Sequence, residues 1–118
     1  MTEQPLTVTT TSHPAGPHVL RVSGELDHHT TERLREALDA VPASFATGIV
    51  LDLTDLTYCD STGITELITA HQRTRAAGHS FDLVGLNPDL MHVFRIIGLD
   101  QVFSFHPTVD QAVRAARS

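Results

Sequence analysis

The chain has 118 residues and a formal net charge of −6, with eight lysine and arginine residues in total. This length suits one domain with a single hydrophobic core. No basic cluster is present, so the composition argues against direct binding to nucleic acid or to an anionic membrane. The single cysteine, Cys59, excludes an intrachain disulfide. No apolar run approaches the roughly 18 residues that a membrane-spanning helix needs, and the first residues do not resemble a signal peptide. We therefore expect a cytoplasmic protein in which residues 1–5 form a loose N-terminal end and residues 6–118 form one domain.

The first half of the chain predicts a β-hairpin, a helix and a buried strand. β-Branched residues indicate a strand over Leu6–Thr11, and alternating residues indicate a second over His18–Glu25, with turn residues between them. Apolar residues at helical spacing indicate a helix over Thr30–Val41, which Pro42 ends. The apolar run Gly48–Leu53 is typical of a central parallel strand that is covered on both faces.

The second half of the chain predicts helices that alternate with strands. A helix is expected over Ser61–Ala77, and Gly78 is a natural stop for it. The run Asn87-Pro88-Asp89 is typical of a helix start, with an N-cap, a proline at the first helical position and an acid in the first turn. The other expected elements are strands over Ser80–Leu86 and Val102–His106, a helix that carries Leu90, Val93, Phe94 and Ile97 and ends at Gly98, and a last helix that opens with a capping box over Thr108–Gln111. The order β-β-α-β-α-β-α-β-α predicts an α/β domain with a mixed, mostly parallel sheet and helices packed against it.

The candidate site lies where the central strand leads into the second helix. We interpret Thr54–Asp60 as a loop that brings the run Asp60-Ser61-Thr62-Gly63 to the start of that helix. Sites in open α/β sheets form beyond the carboxyl ends of strands. At a helix start, free N–H groups and the helix dipole stabilise a phosphate, so Ser61 is suited to be a phosphorylation switch. The same residues also fit a plain N-cap run followed by a tolerated glycine.

A second feature is the run Gly24–Thr30, at the junction of a strand and the first helix. Asp27 or Thr30 is placed to cap that helix. His28 and His29 are adjacent and would not face the same way on a helix, and no third ligand follows at metal-binding spacing, so we expect no metal. The remaining histidines are interpreted mostly as loop or surface residues: His13, His18, His71, His79, His92 and His106.

The chain shows no self-sufficient active site. The spacing around Ser61 does not fit a Gly-x-Ser-x-Gly nucleophile elbow, and no Gly-x-x-x-x-Gly-Lys phosphate loop is present. We interpret Cys59 as a small buried hydrophobic residue. Two alternatives are a small serine hydrolase that uses Ser61 with His28 or His29, and a nucleotide-binding module.

Two segments carry a resemblance to a known family. They are Gly24–Thr30 (GELDHHT) and Leu51–Gly63, in which Leu51-Asp52-Leu53 precedes Tyr58-Cys59-Asp60-Ser61-Thr62-Gly63. Gly85, Asn87-Pro88 and Ile97-Gly98-Leu99 continue the pattern. The chain resembles, over nearly its whole length, the anti-sigma factor antagonists, which are the small STAS domains of bacterial partner-switching systems. Cys59 stands where that family usually has an apolar residue.

The resemblance implies a function without catalysis by this chain. The unphosphorylated protein is expected to bind an anti-sigma factor that is also a serine kinase of the histidine-kinase-like ATPase type, and so to release a sigma factor. Phosphorylation at Ser61 ends the binding, and a serine phosphatase resets the system. ATP then belongs to the kinase, and no cofactor is expected on this chain. Thr62 is the rival acceptor, and a STAS subunit of a lipid-transport or sensory scaffold complex is the alternative function.

The resemblance also implies which residues contact the partner. Asp27 matches a family residue beside the acceptor and is expected to help docking or phosphorylation. The expected partner-binding residues lie in the two segments and at the later helix start: Asp27, His28, Thr30, Asp60, Ser61, Thr62, Gly63 and Asn87.

Overall fold

The computed structural model describes residues 6–42 and 48–117, so the expected loose end at residues 1–5 lies outside the described residues. Within these ranges the chain forms six β-strands and four α-helices. The elements are β1 Thr7–Ser12, β2 His18–Leu26, α1 Thr31–Asp39, β3 Gly48–Asp52, β4 Leu56–Cys59, α2 Ser61–Ala76, β5 Ser80–Val84, α3 Pro88–Ile96, a single 3₁₀ turn Leu99–Gln101, β6 Ser104–His106 and α4 Val109–Arg117.

The strands form one mixed sheet. β1 pairs antiparallel with β2 and forms the expected hairpin. The strand order is β1-β2-β3-β5-β6. The pairs β2–β3, β3–β5 and β5–β6 are parallel, and the chain passes through a helix between the two strands of each pair. The prediction of a mixed, mostly parallel sheet is thus confirmed. β3 lies at the centre, and its first four residues are buried, as the apolar run predicted.

Side chains alternate between the two faces of the sheet. One face carries Leu20, Leu51 and Leu83, which pack in the main core with Leu67 of α2 and Phe94 of α3. Val50 and Val84 point to the other face and pack against Ala112 and Val113 of α4. Among the described elements, α1, α2 and α3 therefore cover the larger core, and α4 covers the smaller one.

The interpretation of Thr54–Asp60 as a loop was wrong, because this segment contains β4. β4 pairs parallel with β2 beyond the point where β3 ends. The register places Leu56 opposite Gly24 and Tyr58 opposite Glu25, so Thr57 is an extra residue. Such a β-bulge breaks the alternation of buried and exposed residues that identifies a strand in a sequence. Leu56 is buried, whereas Thr57 and Tyr58 are both exposed.

Other differences concern where elements end and which side chains they bury. α1 ends at Asp39, before Pro42, and the last strand is shortened because the 3₁₀ turn precedes it. On α3 the apolar stripe is wider than its contact with the core: Phe94 is fully buried, whereas Val93 and Ile97 are 44% and 53% exposed. No helix in the described ranges combines the length and the apolar character needed to cross a bilayer.

The interpretation of the scattered histidines as mostly surface residues was wrong for three of them. His18 is buried at the start of β2. His71 packs edge-on against Phe81 and Phe103, and burial lowers the pKa of its imidazole. His106 places Nε2 2.9 Å from Oδ1 of the buried Asp82. Aromatic rings thus surround the imidazole of His71, and a carboxylate contacts that of His106.

Candidate functional site

The two segments singled out in the sequence meet at one edge of the sheet. β2 and β4 are paired up to Leu26 and Cys59, so the next residue of each strand, Asp27 and Asp60, begins a loop at the same edge. The backbone N–H of Asp60 donates to the carbonyl of Leu26 at 3.1 Å and continues the pairing into the loops. The pairing of β4 with β2 is therefore what positions the site.

Asp60 connects the start of α2 to the neighbouring loop. Its Oδ1 accepts a hydrogen bond from the N–H of Gly63 at 2.9 Å, which is the N-cap of α2. Its Oδ2 accepts from the N–H of His28 at 3.2 Å, and Nδ1 of His28 lies 3.6 Å from the same oxygen. Burial raises the pKa of this carboxyl, but the hydrogen bonds from Gly63 and His28 outweigh burial and lower it. Asp60 is thus a charged carboxylate at neutral pH.

Asp27 organises its own turn. Its Oδ1 accepts hydrogen bonds from the N–H groups of His29 and Thr30, at 2.9 and 3.1 Å. The hydroxyl of Thr30 accepts from the N–H of Asp27 at 3.0 Å and donates to the carbonyl of Glu25 at 2.8 Å. Thr30 occupies the N-cap position of α1 without a side-chain cap to the helix. The two residues that the sequence offered as alternative caps therefore stabilise the turn together.

Gly63 lets α2 approach β2 closely. A Cβ atom at Gly63 would lie 2.8 Å from both Cγ and the carbonyl oxygen of Leu26, and 3.0 Å from Sγ of Cys59. This is too short for any side chain without a shift of the neighbours. Burial, with a smaller contribution from Asp60, raises the pKa of the Cys59 thiol to about 12. The thiol is protonated at neutral pH and acts as a half-buried apolar group.

Ser61 and Thr62 are exposed at the first two positions of α2. The backbone carbonyl of Ser61 accepts a hydrogen bond from Oγ1 of Thr65 at 2.9 Å. Within the described ranges, no hydrogen bond involves the hydroxyl of Ser61, and no histidine is bonded to it as a serine nucleophile would need. The hydroxyl is free to meet another protein, and a phosphate on it would lie at the N-terminus of a helix of 16 residues.

The match to known proteins fits this arrangement. Residues 7–112 match the family model of the STAS domain. The chain belongs to the STAS domain family. The resemblance found in the sequence is thus confirmed over most of the chain.

Three relatives of this STAS domain illustrate the similarity. An anti-sigma F factor antagonist of Paenibacillus polymyxa is 31% identical over 104 residues, which cover 87% of this chain and 86% of that protein. An anti-sigma-F factor antagonist of Mycobacterium tuberculosis is 29% identical over 112 residues, which cover 95% of this chain and 90% of that protein. The crystal structure of an anti-sigma factor antagonist from Mycobacterium paratuberculosis is 30% identical, with a TM-score of 0.85 and coverage of 96% of this chain and 95% of that one.

The predicted partner-binding residues of this STAS domain separate into two groups. Five hold the site together through their side chains or through close packing: Asp27, Thr30, Asp60, Gly63 and Asn87. The other three are exposed: His28, Ser61 and Thr62. Asn87 caps α3, with Oδ1 accepting from the N–H of Leu90 at 2.9 Å, and its Nδ2 donates to the carbonyl of Leu56 at 3.2 Å. Partner contacts by these residues stay a prediction.

The histidine pair lies beside the N-cap of α2. The rings of His28 and His29 lie 3.9 Å apart, and His28 is beside Asp60. Among the described residues, no three metal-ligating side chains are grouped closely enough to hold an ion. The pair contributes two exposed imidazoles to the surface around Ser61.

Sequence reasoning gave Tyr58 no role, although the structure places it at the site. Tyr58 is 49% exposed and stands opposite Glu25, two residues before Asp60. Its exposure follows from the bulge at Thr57. A bulge produces no regular alternation of apolar and polar residues from which this exposure could be predicted. The only available signal was the aromatic residue itself, next to the acidic cap.

Proposed function

We propose that this STAS domain is an anti-sigma factor antagonist. In its unphosphorylated form it binds an anti-sigma factor and so releases the sigma factor held by that protein. The relatives with similar sequences support this proposal, because they are anti-sigma factor antagonists matched over most of their length. The site supports it as well, because His28, Ser61 and Thr62 are exposed around Asp60, where another protein can reach them.

One observation carries the regulatory part of the proposal. Ser61 is exposed at the first position of α2, directly after the N-cap Asp60. A kinase can reach such a hydroxyl, and the free N–H groups of the helix start stabilise the phosphate that results. Phosphorylation of Ser61 thus changes the charge of the surface while the fold stays as it is.

The added charge acts on the interface with the partner. A phosphate carries about −1.5 to −2 charges at neutral pH. It would lie beside the charged carboxylate of Asp60, on a chain whose net charge is already −6. Repulsion from acidic groups, and the cost of removing water from the dianion, then oppose binding. Phosphorylation therefore separates the complex.

The partners follow from this scheme. The anti-sigma factor is a serine kinase of the histidine-kinase-like ATPase type, so ATP binds to the kinase. A serine phosphatase restores the unphosphorylated form. This chain acts in the cytoplasm as the substrate of both enzymes and carries out no catalysis itself.

A comparison of two baits tests the proposal. Ser61→Ala and Ser61→Asp proteins are immobilised in parallel and exposed to lysate of the source organism, with Thr69→Ala as a control for an exposed hydroxyl further along α2. We expect Ser61→Ala and Thr69→Ala to retain an anti-sigma factor with an ATPase domain, and Ser61→Asp to lose it. Mass spectrometry of the native protein should find a phosphate on Ser61.

Other outcomes would contradict specific parts of the proposal. Efficient phosphorylation of the Ser61→Ala protein would make Thr62 the acceptor. Equal capture of the same partner by the Ser61→Ala and Ser61→Asp baits would show that Ser61 is not the switch. If that shared partner were a transporter ATPase, the function would be that of a lipid-transport subunit.

A further inference from the structure

The bulge in β4 turns Tyr58 away from the main core. Leu26 is fully buried in that core, and Glu25 precedes it on β2, so Glu25 points to the opposite face of the sheet. Tyr58 pairs with Glu25 and therefore points to that face too. In a regular register, Thr57 would pair with Glu25, and Tyr58 would pair with Leu26 and point into the core. Bulges often re-aim a side chain next to a functional site.

The fold itself makes little use of the Tyr58 side chain. Leu56, on the same strand, is 1% exposed, whereas Tyr58 is 49% exposed. Within the described ranges, the phenol ring is not stacked on another aromatic ring, and its hydroxyl makes no hydrogen bond. A large amphipathic side chain that is held outward on a paired strand is typical of a residue that a protein partner buries.

The surroundings of Tyr58 define the chemistry of that partner. Glu25 stands directly opposite on β2, and the charged Asp60 follows two residues later. Ser61 comes next and is exposed. Two acidic residues thus accompany Tyr58, one on the paired strand and one in the loop that leads to the proposed acceptor. A complementary partner presents an apolar pocket for the ring and basic side chains around that pocket.

We propose that Tyr58 is the main docking residue for the anti-sigma factor that reads the state of Ser61. The inference rests on the proposed function. The partner buries the ring of Tyr58 in an apolar pocket with a basic rim, which brings its active site over Ser61. The bulge at Thr57 determines which side chain of β4 the partner receives.

A second apolar surface provides a matched control. Val93, Ile96 and Ile97 of α3, with Val102 after the 3₁₀ turn, are 42–71% exposed. Ile96 lies at the end of α3 remote from Asn87, which is tied to β4. Removal of the exposed Ile96 side chain tests whether an apolar residue on this second surface contributes as much to partner binding as Tyr58 does.

The experiment measures binding of purified anti-sigma factors by calorimetry. Each ATPase-domain anti-sigma factor of the source organism is titrated singly, in the presence of ADP, with the full-length unphosphorylated chain. Variants are Tyr58→Ala, Tyr58→Thr, which retains strand propensity, Tyr58→Phe, which retains the ring, and Ile96→Ala. Thermal unfolding of each variant identifies any loss of fold.

Each outcome decides the proposal. We expect both Tyr58→Ala and Tyr58→Thr to weaken binding about tenfold or more. Tyr58→Phe and Ile96→Ala should retain most of the affinity, and added salt should weaken binding by the wild type. If the wild type binds but folded Tyr58 variants bind equally well, only the docking role of Tyr58 is overturned. If Ile96→Ala alone weakens binding, the docking surface is on α3. If the wild type binds no anti-sigma factor, the antagonist function fails, and the docking role fails with it.

Discussion

Gly63 is the residue at which α2 comes closest to β2. The neighbouring atoms belong to Leu26 and Cys59, which end the two paired strands. The glycine lets the first turn of α2 pack directly against these two residues. Glycine is therefore required at position 63 because there is no space for a side chain, more than because of the backbone conformation.

A methyl group at Gly63 should destabilise the domain. We expect Gly63→Ala to lower the free energy of unfolding by about 1–3 kcal/mol, because the new Cβ would overlap with Leu26. Urea unfolding, followed by circular dichroism, measures the difference. Thr69→Ala, at an exposed position of the same helix, is the control and should change stability little. A Gly63→Ala protein as stable as the wild type would contradict the close packing.

The charge on Asp60 should give the domain a pH-dependent stability. The pKa of Asp60 is lowered in the folded protein, so its contribution is complete above the pKa of the unfolded chain, about 4. The contribution disappears as the pH falls through the folded value. Asp60→Asn retains a polar N-cap but loses the charge. We expect the wild type to be more stable than Asp60→Asn at pH 7 and to lose that advantage in acid. Unfolding curves between pH 2 and pH 7 measure the difference in stability between the two proteins. If this difference were the same at every pH, the charge of Asp60 would be excluded as its cause.

Among the secondary-structure elements, β4 and α3 together hold the site in position. β4 pairs with β2, and Asn87 at the start of α3 fixes the carbonyl of Leu56. One amide side chain thus serves two elements, as acceptor for the helix and as donor to the strand. The position of β4 depends on α3 although the two are separated in the sequence by α2 and β5.

Substitutions at Asn87 should separate these two bonds. Asn87→Ala removes both, and we expect a loss of about 1–2 kcal/mol. Asn87→Asp retains the N-cap but places a carboxylate next to the carbonyl of Leu56, so it should destabilise as well. Thermal unfolding of both variants tests this. If Asn87→Asp were as stable as the wild type, the bond to β4 would contribute nothing.

Elements could be predicted from the sequence where neighbouring residues alone determine the local structure. Asn87-Pro88 was predicted as a helix start, and the cap from Asn87 to Leu90 confirms it. β4 was missed because a bulge cannot be read from a hydrophobic period. The same limit applies to the site: Asp60-Ser61-Thr62 was offered as an alternative N-cap run, but the bond between Asp60 and His28 depends on the pairing of two strands 30 residues apart in the chain.

At the scale of the whole molecule, the site lies at one edge of the sheet and the two cores lie on its faces. The main core and the smaller core under α4 share the central strands β3 and β5. β4 belongs to the same sheet but pairs only with β2 among the described strands. Ser61 is exposed at this edge, so a charge placed on it lies outside both cores.

A charge at position 61 should leave the cores unchanged. In an amide NMR spectrum, we expect Ser61→Asp to shift signals of residues 26–30 and 58–65, and to leave those of Leu51, Leu83 and Phe94 in place. The free energy of unfolding should change by no more than about 1 kcal/mol, because an acid near a helix N-terminus is tolerated. Ser61→Ala is the control for loss of the hydroxyl. Shifts throughout the buried residues would show that the charge reorganises the fold.

The division of the site into inward and outward side chains has a consequence for organisms that carry several such domains. The side chains of Asp27, Thr30, Asp60 and Asn87 make the hydrogen bonds that fix the loops, and the side chains of Tyr58, Ser61 and Thr62 take no part in these bonds. Duplicated copies can therefore exchange the second set while retaining the first. Parallel signalling pathways can then diverge in partner choice, with little cross-talk, on one unchanged scaffold.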